Sequence, residues 1–254
     1  MPTKIEWAEE TWNPVTGCTP VSEGCQNCYA ARMARRLAGR CGYPADEPFR
    51  VTLHPERLEQ PAKWRKPRRI FVCSMGDLFH PDVPFSFVHE IFDYVAVDAG
   101  QHIYIVLTKR PERLRKFINE YEDWDSSEAP NIWLGVTAEN QARADERIPV
   151  LLSIPAAVHF VSIEPCLGPV DLGYTFAPAY VSAGGKPCLD WVILGCETGP
   201  GRRTMQPVWA RDVKDQCVAA GVPFFLKQMY RNDGTLWKLP ELDGRTWAEY
   251  PEVK

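Results

Sequence analysis

The sequence predicts an α/β fold in which a parallel sheet curls into a full or partial (β/α) TIM-like barrel. Short apolar runs rich in Val, Ile and Phe recur along the chain, stretches of helical length separate them, and turn residues lie between the two. Continuous apolar runs of this length are typical of parallel strands buried on both faces. A doubly wound open sheet gives the same alternation, so the rhythm alone leaves both arrangements open.

The expected strands and helices follow from these runs. The apolar runs are Ile70–Cys73, Ile103–Leu107, Ile132–Val136, Val158–Ile163, Trp191–Leu194 and Pro223–Leu226, and an early strand near Trp12 brings the number to about seven. The helices are expected at about 85–99, 111–121, 139–152 and 207–220. Pro111 suits the first turn of a helix, and Gly221 suits a helix end.

One domain over residues 1–254 accounts for the whole length, since a barrel of this type takes about 250 residues. Residues 174–189 break the strand–helix alternation and are expected to form an inserted loop. The tail after about residue 230 is rich in Trp and Pro and is expected to pack across the outside of the barrel.

Composition excludes several classes of protein. Hydrophobic residues make up 45% of the chain, which is enough for a sizeable core and argues against disorder. We expect a cytoplasmic protein without a membrane partner, because the sequence has neither a long apolar span nor a signal peptide pattern. The formal net charge of -4 restricts any contact with nucleic acid to a local basic surface.

Three of the nine cysteines form a C-x6-C-x2-C motif, made of Cys18, Cys25 and Cys28. Thiolates are soft ligands that suit iron–sulfur clusters and zinc. Three thiolates on a four-iron cluster leave one iron open to another ligand, whereas a structural zinc needs a fourth side chain, for which Cys41 is the nearest candidate. The motif by itself leaves both metals open.

In an α/β barrel the active groups lie at the carboxyl ends of the strands. Polar side chains recur after almost every predicted strand here. The positions at these strand ends are Ser74, Met75, Gly76, Asp77, Thr108, Lys109, Arg110, Thr137, Glu139, Asn140, Ser162, Glu164, Cys196, Glu197, Lys227 and Gln228. Any one of them, Thr137 for example, also suits an ordinary helix cap. Their recurrence on one face predicts a site there.

Two basic segments suggest contacts with phosphate. Arg202 and Arg203 end a glycine-containing loop after Glu197, where their guanidinium groups can bind phosphate oxygens, and Lys109 and Arg110 lie on the same face. A solvated turn is the alternative for this loop. The run 63–69 precedes its strand, so we expect it on the opposite face, as a solvated surface or a docking patch remote from the chemistry.

The chain resembles the three-Cys-motif proteins of bacteria and mycobacteriophages, a radical-SAM-like family. The resemblance extends through almost the whole chain. Its motifs are TWNPVTGCTPVSEGCQNCYA, RIFVCSMGDLFHPDVP, VLTKRPERL, NIWLGVTAEN, VSIEPCLGPVDL, WVILGCETGPGRR and AAGVPFFLKQ. It implies a barrel of the radical-SAM type, a [4Fe–4S] cluster on Cys18, Cys25 and Cys28, and S-adenosylmethionine as the second cofactor, but no substrate.

The resemblance also implies roles for individual residues. Ser74, Met75, Gly76 and Asp77 occupy the place of a segment that receives the methionyl ammonium group, with Asp77 as its charge partner. Thr137, Glu164 and Glu197 fall where contacts to S-adenosylmethionine are expected, and Tyr29 can meet the adenine. A thiol beside a substrate radical can donate a hydrogen atom, which makes Cys196 and Cys166 candidate catalytic residues. The alternative for both cysteines is that they are small buried side chains of the hydrophobic core.

These observations predict a radical enzyme that receives electrons from an external one-electron donor and modifies or repairs a nucleotide or a nucleic acid. Lys109, Arg110, Arg202 and Arg203 would bind the substrate. One alternative is a metal-dependent nuclease or hydrolase, in which Asp77, Glu164 and Glu197 hold a divalent metal and the cysteines hold zinc. The other is a non-catalytic iron–sulfur binding module.

Overall fold

The computed structural model describes residue 3 and residues 5–95, 100–121, 129–176 and 189–252. In chain order its strands are β1 (Glu10–Trp12), β2 (Val15–Thr16), β3 (Thr52–Leu53), β4 (Arg69–Val72), β5 (Ile103–Thr108), β6 (Ile132–Thr137), β7 (Val158–Ile163), β8 (Trp191–Gly195), β9 (Phe224–Tyr230), β10 (Leu236–Lys238), β11 (Glu241–Leu242) and β12 (Arg245–Thr246). The α-helices are α1 (Tyr29–Arg36), α2 (Phe85–Asp93), α3 (Pro111–Glu120), α4 (Gln141–Leu152) and α5 (Pro207–Ala220).

The main sheet is a curled half-barrel of eight strands in the order β1-β4-β5-β6-β7-β8-β9-β10. The first seven strands run parallel to their neighbours, and β10 pairs antiparallel with β9. All six apolar runs and the early strand near Trp12 are strands, so the α/β prediction is confirmed. Among the described residues β1 does not pair with β10, and the sheet is therefore a partial barrel.

Successive strand residues point to opposite faces of the sheet and enter two separate cores. In β8, Val192 and Leu194 belong to the cluster that contains the apolar residues of α2–α5, whereas Trp191 and Ile193 belong to the other. The second cluster fills the face without these helices, and Trp7, Trp133 and Phe225 are among its members. Because α2–α5 share one face, the doubly wound arrangement is wrong for this chain.

The helix ends follow local sequence signals. Pro111 and Pro207 stand at the first positions of α3 and α5, where a missing N–H costs nothing. Gly221 ends α5 with a φ of 68°, as predicted. At α4 the cap is Asn140, whose side chain accepts a hydrogen bond from the N–H of Arg143 at 3.1 Å. Thr137 is therefore not a cap; it is the buried last residue of β6.

The carboxyl-terminal tail covers the part of the β9 edge that β10 leaves unpaired. Beyond β10, the backbone N–H of Leu226 donates to the carbonyl of Trp247, and Glu249 donates to Phe224 in the same way. Trp247 packs on the helix side of the sheet, while Tyr250 packs against the core on the other side. The tail was expected across the outside of the barrel; the position of Trp247 agrees with this, whereas that of Tyr250 does not.

Two further expectations fall partly outside the described residues. The helix predicted at 85–99 is α-helical over Phe85–Asp93, and positions 96–99 are not described. Most of the inserted loop at about 174–189 also lies outside the described residues, apart from a 3-10 turn that ends at Phe176. Among the described helices, none has both the length and the hydropathy needed to cross a membrane.

Candidate functional site

A cavity of about 260 Å³ lies between the carboxyl ends of the strands and the cysteine loop, which we define as residues 17–28. Cys18, Cys25 and Cys28 line one side of it. Ten further residues that the sequence nominated as strand-end groups also line it, namely Ser74, Gly76, Asp77, Thr108, Lys109, Arg110, Thr137, Glu164, Cys196 and Glu197. Tyr29 completes the set and is exposed. The cysteine loop and the strand ends therefore share one cavity.

Four residues with a predicted catalytic, cofactor or substrate role do not line this cavity, namely Met75, Cys166, Arg202 and Arg203, and neither do the other strand-end residues Glu139, Asn140, Ser162, Lys227 and Gln228. The backbone of Met75 instead holds the cysteine loop, because its carbonyl accepts from the N–H of Gly17 at 2.9 Å. Cys166 is 1% exposed, lies in the helix-side core and donates its thiol hydrogen to the carbonyl of Gly168. Of the two candidate hydrogen donors, only Cys196 faces the cavity.

The cysteine loop begins with a sharp change of direction at Gly17. Its φ of 85° is one that side chains rarely adopt, and a Cβ here would lie 2.2 Å from the carbonyl oxygen of Arg50. The loop then makes a 3-10 turn over Glu23–Cys25 and enters α1 directly after Cys28. All three thiols are free and half-buried.

Arg110 ties the loop to the end of β4. It donates to Asp77 Oδ2 at 2.8 Å, to Cys18 Sγ at 3.3 Å and to the carbonyl of Thr19 at 2.9 Å. Asp77 also accepts from the hydroxyl of Thr108 at 2.8 Å and from the backbone N–H of Phe79 at 3.0 Å. The Asp77 carboxylate is buried and is already engaged by these donors. Its first role here is to orient Arg110.

Glu139 supports the loop from the end of β6. It is completely buried, and it pairs with Arg147 at 3.0 Å and accepts from the backbone N–H of Gly24 at 3.3 Å. A Cβ on Gly24 would lie 2.8 Å from Glu139 Oε1, so glycine is needed for this close approach. Glu139 was one of many strand-end residues in the sequence, and its partner Gly24 had no signal of its own.

Glu197 supports the loop from the end of β8. It accepts from the side-chain amide of Asn27 at 3.0 Å and from the backbone and guanidinium groups of Arg203, with the backbone N–H at 2.8 Å. These bonds hold the pKa of Glu197 below its usual value, although burial opposes them. Arg203 is therefore committed to Glu197, and Arg202 packs its guanidinium 4.0 Å from the ring centre of Tyr230. The predicted pair of phosphate ligands is not formed by this loop.

The cavity wall contains one cation without a carboxylate partner among the described residues. Asp77, Glu164 and Glu197 are the carboxylates of the wall, and each is paired, Glu164 with Lys227 at 2.5 Å. Gln228 also donates to Glu164 at 3.1 Å. Lys109 is half-buried and lines the cavity, but none of the ion pairs of the described residues includes it. The site is therefore suited to a ligand with an anionic group.

The surroundings of three thiols on the cavity wall, those of Cys18, Cys73 and Cys196, raise their pKa values. Burial is the main cause that raises the pKa of Cys18, and the carboxylate of Asp77 adds to it, whereas Arg110 opposes it. Burial raises the pKa of Cys196 to about 12 and that of Cys73, which also lines the cavity, to about 12. Cys73 ends the predicted run Ile70–Cys73, and it lies in the helix-side core as well as on the cavity wall, with a φ of 57° directly after β4.

The three thiols fit a soft metal in donor type and in their shared cavity. Within the described part of the chain, however, no three His, Cys, Asp or Glu side chains converge closely enough to enclose a metal ion. Cys41, the expected fourth ligand of a zinc site, is exposed and does not line the cavity. Among the described residues, the donor set of the cysteine loop is therefore three thiols.

A family profile described as "Protein of unknown function (DUF5131)" matches residues 2–251. Neither the curated proteins nor the solved structures include a match to this chain. Since the profile spans nearly the entire sequence, the chain belongs to the DUF5131 family.

Proposed function

We propose that this protein is a radical enzyme that holds a [4Fe–4S] cluster on Cys18, Cys25 and Cys28 and uses S-adenosylmethionine. The observation that supports it most is the position of three free, half-buried thiols on the wall of a cavity formed by strand-end polar groups. Bound together, the two cofactors would supply reductive cleavage of a sulfonium and hydrogen abstraction from a substrate. An external one-electron donor is then required.

The chain itself would supply position, charge and exclusion of water. Arg110, Glu139 and Glu197 fix the cysteine loop at three places through Cys18, Gly24 and Asn27. Such fixed supports keep ligands in the orientation that a cofactor needs. The buried walls of the cavity would keep water away from the reacting atoms.

Lys109 is the residue that we propose for binding an anionic group, either the carboxylate of S-adenosylmethionine or a phosphate of the substrate. It lines the cavity without a carboxylate partner among the described residues. The proposed nucleotide or nucleic-acid substrate now depends on Lys109 rather than on Arg110, Arg202 and Arg203, which contact Asp77, Tyr230 and Glu197 respectively. Thr137, Ser74 and Gly76 offer a hydroxyl or backbone groups nearby for the cofactor. Cys196 remains the candidate hydrogen donor.

The hydrolase alternative has less support from the geometry. It requires Asp77, Glu164 and Glu197 to share a divalent metal, but each of these carboxylates is neutralised by its own cation. A shared metal would have to displace Arg110, Lys227 and Arg203 from three separate pairs. The binding-module alternative predicts a cluster that does not respond to S-adenosylmethionine.

The test is anaerobic purification followed by iron and sulfide analysis. We expect about four irons and four sulfides per chain, as a [4Fe–4S] cluster requires. Cys18→Ser, Cys25→Ser and Cys28→Ser should each lower the iron content, whereas Cys41→Ser, a change at an exposed cysteine away from the cavity, should not. S-adenosylmethionine should change the spectrum of the reduced cluster. When dithionite reduces the protein in the presence of S-adenosylmethionine, 5′-deoxyadenosine should be formed. Zinc without iron would contradict the proposal.

A further inference from the structure

The cysteine loop also lines a second cavity. This outer groove has a volume of about 420 Å³ and shares Cys18, Cys25 and Cys28 with the inner cavity. None of the strand-end groups of the inner cavity lines it; its other walls include Arg32 and Arg35 of α1. The loop is therefore a single layer of chain with the strand ends on one side and the outer groove on the other.

The outer groove is positively charged on a protein of net charge -4. Its lining contains two arginines and no carboxylate. Arg36 and Arg40 extend this charge along the same helix and the turn after it, and Arg35, Arg36 and Arg40 are all exposed. No ion pair among the described residues includes any of the four arginines. The charge of the groove is therefore available to a partner.

We infer that the outer groove is the docking surface for an acidic one-electron donor protein. The inference rests on the proposed function, which requires an electron from outside. A donor seated in the groove contacts the cysteine loop itself, which shortens the path to anything that the three thiols hold. The overall negative charge repels an acidic partner elsewhere on the surface, so the local arginines also select its orientation.

A nucleic acid fits this surface less well. The groove has apolar walls at Pro20, Phe49 and Pro200 and only two arginines, whereas a nucleic-acid surface follows the phosphate backbone with a row of cations. The cysteine loop also separates a molecule in the groove from Lys109 and the inner cavity. A substrate bound there would be on the wrong side of the loop.

The experiment measures the rate at which reduced flavodoxin, an acidic one-electron carrier, reduces the cluster of the anaerobically purified protein. We compare Arg35→Glu/Arg36→Glu with Arg65→Glu/Lys66→Glu, which makes the same change of charge at exposed positions before β4. Dithionite, which needs no docking surface, serves as the reference reductant. An Arg35→Gln/Arg36→Gln variant removes the two positive charges without adding negative ones. It shows whether a slower rate comes from the loss of charge or from destabilisation of α1 by the glutamates.

We expect the Arg35→Glu/Arg36→Glu variant to be reduced by flavodoxin about tenfold more slowly at low salt, as loss of electrostatic steering predicts. The difference in reduction rate between this variant and the wild type should disappear at about 1 M salt, where charges are screened within about 3 Å. The Gln variant should lie between this variant and the wild type. The matched control should keep the wild-type rate, and dithionite should reduce all the proteins equally.

Equal flavodoxin rates for the wild type and Arg35→Glu/Arg36→Glu at low salt would overturn the inference. So would loss of oligonucleotide binding in that variant with an unchanged flavodoxin rate, which would make the groove a nucleic-acid surface. Absence of iron before any donor is added is a different result. It defeats the proposed function, and the docking inference with it.

Discussion

Arg110 Nη1 donates a hydrogen bond to Cys18 Sγ at 3.3 Å across 92 positions of sequence. The same nitrogen lies 2.8 Å from Asp77 Oδ2, so a carboxylate at the end of β4 fixes the arginine that holds the first cysteine. Both side chains of the ion pair are about nine-tenths buried. The relationship gives Asp77 a structural role before any cofactor is present.

Replacing Arg110 should therefore destabilise the fold and the cysteine loop together. Arg110→Met leaves the buried Asp77 carboxylate without its cation, and such a loss costs about 3–5 kcal/mol. We expect the lower end of that range, because Thr108 and backbone N–H groups still donate to Asp77. Urea unfolding measures the free energy, and iron analysis should show weaker retention of the cluster.

Arg115→Met is the matched control for this prediction. Arg115 pairs with Glu112 on the exposed surface of α3, with side chains 45% and 64% exposed. An exposed pair of this kind contributes about 0–1 kcal/mol. If both variants unfold at the same urea concentration, the Arg110–Asp77 pair does not stabilise the protein as we describe.

The buried pair of Glu139 and Arg147 gives a second prediction. Glu139→Gln leaves the Arg147 charge uncompensated in a site that is almost fully buried, and it should lower the free energy of unfolding by about 3–5 kcal/mol. The double variant Glu139→Gln/Arg147→Met removes both charges and should recover a substantial part of this loss. A double variant no more stable than Glu139→Gln would show that the unpaired charge is not the cause.

Gly24→Ala tests the contact between the same carboxylate and the cysteine loop. The new methyl group would meet Glu139 Oε1 at 2.8 Å, so either the loop or the carboxylate must move. We expect a loss of about 1–3 kcal/mol, as for other overpacked sites, and reduced iron retention. Gly168→Ala is the matched control, because Gly168 has no positive φ and a Cβ there would lie 3.9 Å from its nearest neighbour, the Cβ of Asn140.

Lys109 should affect ligand binding but not cluster assembly. Lys109→Gln removes the unpaired cation of the cavity, so we expect wild-type iron content and about tenfold weaker binding of S-adenosylmethionine or of a phosphate-bearing substrate, equivalent to about 1.4 kcal/mol. Spectral titration of the reduced cluster measures the affinity for S-adenosylmethionine, and competition by a nucleotide measures the affinity for a phosphate-bearing substrate. Lys116→Gln on α3 is the control, since Lys116 is exposed and pairs with Glu120. Unchanged affinity for both ligands would remove Lys109 from the site.

His159 makes the stability depend on pH in a defined direction. Burial in β7 is the main cause that lowers the pKa of His159, and its ring donates from Nε2 to the carbonyl of Ile154 at 2.7 Å. The unfolded chain, with a histidine pKa of about 6.5, then binds more protons than the folded chain, so stability falls as the pH drops below about 6.5. At pH 8 the residue is neutral in both states and this penalty is absent.

The difference in free energy of unfolding between the wild type and His159→Gln should therefore become smaller as the pH is lowered from 7 to 5, because only the wild type loses stability through this histidine. Urea unfolding at several pH values measures the two curves. A gap that stays constant over this interval would mean that the histidine is not held neutral by the fold.

The sequence by itself determined the alternation of strands and helices, the early strand at Trp12, and the edge of the sheet at which the strand-end polar groups gather. These follow from local patterns, because runs such as Val158–Ile163 are apolar throughout and a parallel strand delivers its last residues to one edge. The same logic placed Asp77, Lys109 and Glu164 on the cavity.

Only the tertiary structure decided which charges neutralise one another. Asp77 pairs with Arg110, Glu164 with Lys227 and Glu197 with Arg203. These pairs leave Lys109 as the cation of the described cavity wall without a carboxylate partner. Strand register and loop paths fix such pairs, and neither is encoded in the spacing of charged residues along the chain. For the same reason Cys166 and Cys196, each shortly after a strand, end in different surroundings, one in the helix-side core and one on the cavity.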